Sequence, residues 1–152
     1  MVRETLGTKS NRSQAYQHLG FFFYHDDCQE IDIEYLPDPA SLSNPQGESI
    51  PLQYTNQALS CVIGEGTHTT RAAPTDAQSA EHEYRYDWVP GRVDFYTDGV
   101  LQDTFTTNVP TDPGALLWNT WTNGDPGFSV GPPVQDAVLR IREIVLYYNT
   151  TA

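Results

Sequence analysis

Apolar and polar positions alternate along this chain in short runs broken by turn residues, and no stretch sustains the period of a helix. Residues 19–24 and 30–36 form the first two runs, with 25–29 as a hairpin connection between them. Residues 50–63 read as one strand or a pair, and the polar stretch 64–80 as a loop. Residues 82–89, 92–97 and 100–106 then predict three antiparallel strands joined by turns at Pro90-Gly91 and Asp98-Gly99; Asp-Gly between alternating runs is a strong hairpin cue. A strand over 116–122, a Gly/Pro loop over 124–133 and a last strand over 137–148 complete the pattern. Short strands at this spacing predict an all-β fold, an antiparallel β-sandwich. Residues 1–18 carry no apolar period, so the pattern predicts a disordered segment there and one sandwich domain over 19–152.

The informative run is Glu30-Ile31-Asp32-Ile33-Glu34-Tyr35-Leu36. Side chains of a strand alternate faces, so Glu30, Asp32 and Glu34 share one face while Ile31, Ile33 and Tyr35 share the other. Stacked like charges repel, and a strand needing only solubility could use Thr, Ser or Lys at lower cost. An edge strand with an acidic solvent face is the plain reading. Glycoside hydrolysis is the chemistry that uses such a set: one carboxylate attacks the anomeric carbon or activates water, and the other protonates the leaving oxygen. Four residues of strand separate the Glu30 and Glu34 Cα atoms by about 13 Å. Carboxyls leaning together over Asp32 approach the ~5 to 5.5 Å of a retaining pair more readily than the wider spacing of an inverting one. Asp32, between them, is placed to shift a neighbour's proton affinity and to share a hydrogen bond.

Composition narrows the classes. With 152 residues the chain can bury a core without staples, and 11 Gly, 11 Pro and 12% aromatics are poor material for a helical bundle. Eight Lys and Arg against 20 Asp and Glu give a net charge of −12, which repels phosphate backbones and anionic membrane surfaces, so no nucleic acid and no membrane partner is expected. The apolar run at 19–24 falls far short of a bilayer span. The first residues lack the continuous apolar stretch of a signal peptide, although the sequons Asn11-Arg12-Ser13 and Asn149-Thr150-Thr151 fit an exported protein. Cys28 and Cys61 read as two buried thiols ahead of a disulfide. His18, His25, His68 and His82 show no metal-ligand spacing and there is no G-x-S-x-G, so neither metal nor cofactor is expected. Asn119 and Trp121 share a strand face suited to a sugar ring, while Trp118, Trp88 and Phe95 are assigned to the core.

Glu30-Ile31-Asp32-Ile33-Glu34 resembles the E-x-D-x-E signature of glycoside hydrolase family 16, whose members fold as a concanavalin A-like β-jelly roll. His82 to Trp88 followed by Val93 to Val100 is similar to the family's H-x-Y-x-x-D-W and W/F-Y-x-D-G segment. Trp118 to Pro126 is similar to its N-x-W strand, and residues 131–148 to the closing strand of fungal members. The resemblance implies Glu30 as nucleophile, Glu34 as general acid/base and Asp32 as assisting carboxylate, with Tyr84, Asn119 and Trp121 against the sugar. It implies a retaining hydrolase acting by double displacement on a β-1,3 or mixed β-1,3/1,4 glucan. The alternatives are a cell-wall glucan transglycosylase and a non-catalytic glycan-binding or inert remnant. A polysaccharide substrate and a secreted or cell-wall setting follow for the full-length protein. Cys28 stands where many members have Trp two residues before the first Glu. Only 29 residues precede Glu30, where the family places further sandwich strands. The chain therefore reads as truncated at its N-terminus, with self-association expected at strand edges left open.

Overall fold

The computed structural model describes residues 2–8, 18–41, 51–133 and 138–148. Among them ten strands form two five-stranded sheets, every pairing is antiparallel, and there is no helix. The strands are β1 (Val2–Thr8), β2 (His18–Asp26), β3 (Gln29–Tyr35), β4 (Leu52–Asn56), β5 (Thr67–Arg71), β6 (Glu81–Val89), β7 (Arg92–Thr97), β8 (Val100–Phe105), β9 (Ala115–Trp121) and β10 (Leu139–Leu146). One sheet runs β10-β1-β6-β7-β8 and the other β5-β4-β3-β2-β9. The expected all-β antiparallel jelly-roll sandwich is thus the fold.

The inner faces are set by alternation. Phe21 and Phe23 of β2, Ile31 and Ile33 of β3, and Leu52 and Tyr54 of β4 meet Tyr84 and Tyr86 of β6, Val93 and Phe95 of β7 and Phe105 of β8. Aromatic pairs lock the two sheets together. Phe21 stacks on Tyr86 at 5.4 Å between ring centroids, Tyr54 on Phe95 at 4.8 Å, and Phe23 tilts against Trp88 at 4.5 Å. Each such pair contributes about 0.5 to 1.5 kcal/mol beyond its area burial. The Tyr54 hydroxyl, carried into this apolar layer, meets Thr97 Oγ1 at 3.0 Å. Phe95 and Trp88 take the core places expected of them.

Several expectations change. Val2–Thr8 is a strand, not an irregular segment: β1 lies between β6 and β10, and both ladders come from chain-distant strands that leave no local pattern. Residues 9–17 lie outside the described residues, as do both sequons. Within the stretch read as loop, Thr67–Arg71 forms the edge strand β5, whose β-branched threonines suit a strand although no apolar position marks it. Trp118 is not core. β9 is the outermost strand of its sheet, and the indole is left 45% exposed. Cys28 and Cys61 are joined in a disulfide, not held as separate thiols. No helix among the described residues is long and apolar enough to cross a membrane.

Candidate active site

The outer face of the β5-β4-β3-β2-β9 sheet carries the acidic row, and the register sets what stands beside each carboxylate. Glu30 faces Tyr24 across β2; Asp32 lies between Phe22 and Thr55; Glu34 lies between Gly20 and Gln53. The rows continue onto β9, where Asn119 is opposite Gly20 and Trp121 opposite His18, and onto β5, where His68 is opposite Thr55. Three of the expected catalytic residues and two of the expected sugar-contacting residues, Asn119 and Trp121, therefore share one surface.

Gly20 makes room for this grouping. A Cβ there would come within 2.7 Å of Asn119 Oδ1, so the bare backbone lets the amide lie over β2 on the row of Glu34. The hairpin that opens the acidic strand is held by Asp26, whose Oδ1 accepts from the amides of Cys28 at 2.9 Å and Gln29 at 3.0 Å. Gln29 in turn ties the strand to the loop after β8: its Oε1 accepts from the amides of Thr111 and Asp112, and its Nε2 donates to Asp112 Oδ2 at 2.6 Å.

Tyr84 does not join the site. It is 6% exposed on the inner face of the opposite sheet, and with Leu19, Phe21, Ile33, Tyr35, Leu52 and Ala77 it lines a cavity of about 20 Å³ inside the core. Burial raises its phenol's proton affinity, as it would for any hydroxyl with water removed.

Electrostatically the centre of the row differs from its ends. Asp32 is 5% exposed, and its carboxyl is held well above the usual range, first by burial and then by the charges of Glu34 and Glu30. A hydrogen bond with Glu30 adds to the rise, while one from Gln57 opposes it. Burial also raises Glu30, and the bond from Asp32 acts against that rise. Burial and its neighbours' charges therefore favour the protonated form of Asp32, with Glu30 as its hydrogen-bond partner.

Four neighbours were not legible as site residues. His18 is fully buried at the start of β2, with Nε2 2.9 Å from Glu34 Oε1, within ion-pair distance but out of line for a hydrogen bond. Its ring is wedged edge-on between Trp121, 4.6 Å away, and Phe128, 5.1 Å away. On the other side of Glu34, the Gln53 Oε1 meets His68 Nε2 at 2.7 Å, and burial lowers the His68 imidazole. Gln57 donates from Nε2 to Asp32 Oδ2 at 3.1 Å.

An antiparallel jelly-roll sandwich with a carboxylate triad on the outer face of one strand is the class that fold and site define. The sequence pattern of "Glycosyl hydrolases family 16" matches residues 17–136, and the chain belongs to that family. The β-glucanase of Paenibacillus macerans is 46% identical over 93 residues, 60% of this chain and 34% of that protein. Congo red hypersensitive protein 1 of Saccharomyces cerevisiae is 29% identical over 115 residues, 73% of this chain and 21% of that protein. The chain spans about a third or less of the length of the curated relatives it matches first. The fold is shared with a solved Bacillus licheniformis β-glucanase at a TM-score of 0.68 and 21% identity, covering 94% of this chain and 63% of that one.

Proposed function

We propose that the chain is a glycoside hydrolase that cleaves β-glucan, β-1,3 or mixed β-1,3/1,4 linked, with retention of anomeric configuration. The observation that carries this reading is the buried Asp32 set between two more accessible glutamates on one strand face, its carboxyl raised by burial and by their charges. A merely solvated acidic face would not bury its middle carboxylate. β-Glucanases among the relatives support the choice of substrate.

In this reading Glu30 attacks the anomeric carbon while Glu34 gives its proton to the departing glycosidic oxygen, forming a glycosyl-enzyme ester. Glu34 then takes a proton from the incoming water, whose oxygen attacks the same carbon and releases Glu30. The proton of Asp32 stabilises Glu30 as charge returns to it. Trp121 offers a flat apolar face to a sugar ring and Asn119 a hydrogen-bonding amide. The Cys28–Cys61 bond supports a secreted or cell-wall setting, because disulfides persist in oxidising compartments.

The test is incubation with laminarin and with mixed-linkage glucan, followed by proton NMR of the first product anomer. Shorter oligosaccharides released as the β-anomer are expected, and Glu30→Gln should lower turnover by roughly three orders of magnitude or more while leaving glucan affinity nearly unchanged. Transfer to an added oligosaccharide acceptor in place of hydrolysis would assign a transglycosylase. Binding without any product, equal in wild type and variant, would overturn the enzymatic reading.

A further inference from the structure

Gln57 follows β4 and stands beside the Glu30 end of the acidic strand. Its backbone amide donates to the Glu30 carbonyl at 3.0 Å, extending the β3–β4 ladder by one bond. Its side-chain Nε2 donates to Asp32 Oδ2 at 3.1 Å. The loop it begins cannot drift away, because Cys61, four residues on, is bonded to Cys28, two residues before Glu30. Asn108 adds a third hold, accepting from the Leu59 amide at 3.2 Å and donating to the Glu65 carbonyl at 2.8 Å.

A protonated carboxylic acid has one O–H, and its other oxygen can only accept. An N–H pointed at Oδ2 makes that oxygen the acceptor and leaves Oδ1 to carry the proton. We propose that Gln57 is a positioning residue which selects the oxygen of Asp32 that is protonated, so that the proton is directed at Glu30. The inference rests on the assignment of Glu30 as nucleophile, and it deepens that reading. In this role Gln57 acts through Asp32, the partner of its side-chain amide. The other titratable groups on or beside this face are Glu30 and Glu34 on the same strand, His18 and Tyr24 on β2, Asp27 in the following turn, which accepts from the Tyr24 hydroxyl and raises Glu30, and His68 on β5, while β9 brings Ala115, Leu117, Asn119 and Trp121, none of them charged.

Two variants separate donation from packing. Gln57→Leu removes the donor, and Gln57→Glu keeps size and polarity but turns the donor into an acceptor when ionised. Both should lower kcat on glucan by about tenfold with little change in KM, the size expected for losing one hydrogen bond to an ionisable group. In an Asp32→Ala background, which holds no proton to orient, Gln57→Leu should have no further effect. A second readout does not need turnover: the side-chain carboxyl carbon resonance of Asp32, followed by NMR across pH, should titrate higher in Gln57→Leu than in wild type. Full activity of Gln57→Glu, an unchanged Asp32 titration in Gln57→Leu, or an equal Gln57→Leu effect with and without Asp32 would each overturn the proposal. Because the titration is read on the resting protein, a wild type inactive on every glucan would count against the hydrolase reading and leave this test intact.

Discussion

At the scale of single residues, a buried carboxyl that holds its proton makes stability depend on pH in a definite direction. In acid both folded and unfolded Asp32 are neutral. As pH rises through the ordinary aspartate range, the unfolded chain ionises while the folded site stays protonated, so unfolding becomes easier until the raised folded value is passed. Asp32→Asn removes that dependence. The melting temperature of the variant should gain on that of the wild type as pH rises from about 4 to neutrality, and a constant gap would contradict the assignment of the proton. The same scale shows what could be read in advance. The alternation in E-I-D-I-E displays the triad directly. Tyr84 obeys the same rule, since it shares strand parity with Tyr86 and with Trp88, and all three face the core. Tyr84→Phe should accordingly leave KM for glucan unchanged, whereas Tyr84→Ala should cost about 3 kcal/mol or more of stability, measured by denaturant unfolding. His18 and Gln57 sit just beyond their strands' apolar runs, where periodicity says nothing, and their roles come from neighbours brought in by pairing.

Among elements, the β6–β7–β8 meander was legible because its turns are chemical: Gly91 and Gly99 both take positive φ, as tight turns demand. β1 and β5 were hidden for different reasons. β1 is defined by two distant partners, and β5 is an edge strand of polar β-branched residues that need not alternate. The loop between β4 and β5 is the element whose role depends most on a covalent bond. Cys28 and Cys61 are 33 positions apart, and closing a loop of that length in the unfolded chain is worth about 3 to 4 kcal/mol in the chain-entropy estimate. Replacing both with Ala should lower the unfolding free energy by up to that amount. It should also weaken the hold on Gln57, so kcat should fall in the same direction as in Gln57→Leu, though less. Loss of stability with kcat untouched would confine the bond to a structural role.

Across the whole molecule, two sheets sort the chain into three layers: a carboxylate-bearing outer surface, an aromatic core, and a second outer surface where Arg85 lies 3.8 Å above the Tyr96 ring. In the site-bearing sheet, membership of a layer is decided by odd or even position along each strand. Positions 18, 20, 22 and 24 of β2 and 30, 32 and 34 of β3 face outward together, matched by 53 and 55 of β4 and by 115, 117, 119 and 121 of β9. The arrangement constrains how such a protein can change by insertion and deletion. Loops can lengthen by any number of residues. One residue lost from the short turn before β3 would move Glu30, Asp32 and Glu34 into the aromatic layer and bring Ile31 and Ile33 to the surface, and one residue added within the strand would do the same to every position on one side of it. Descendants of this sequence can therefore drift freely in loop length, while the acidic strand and its hairpin can be altered only by substitution or in steps of two.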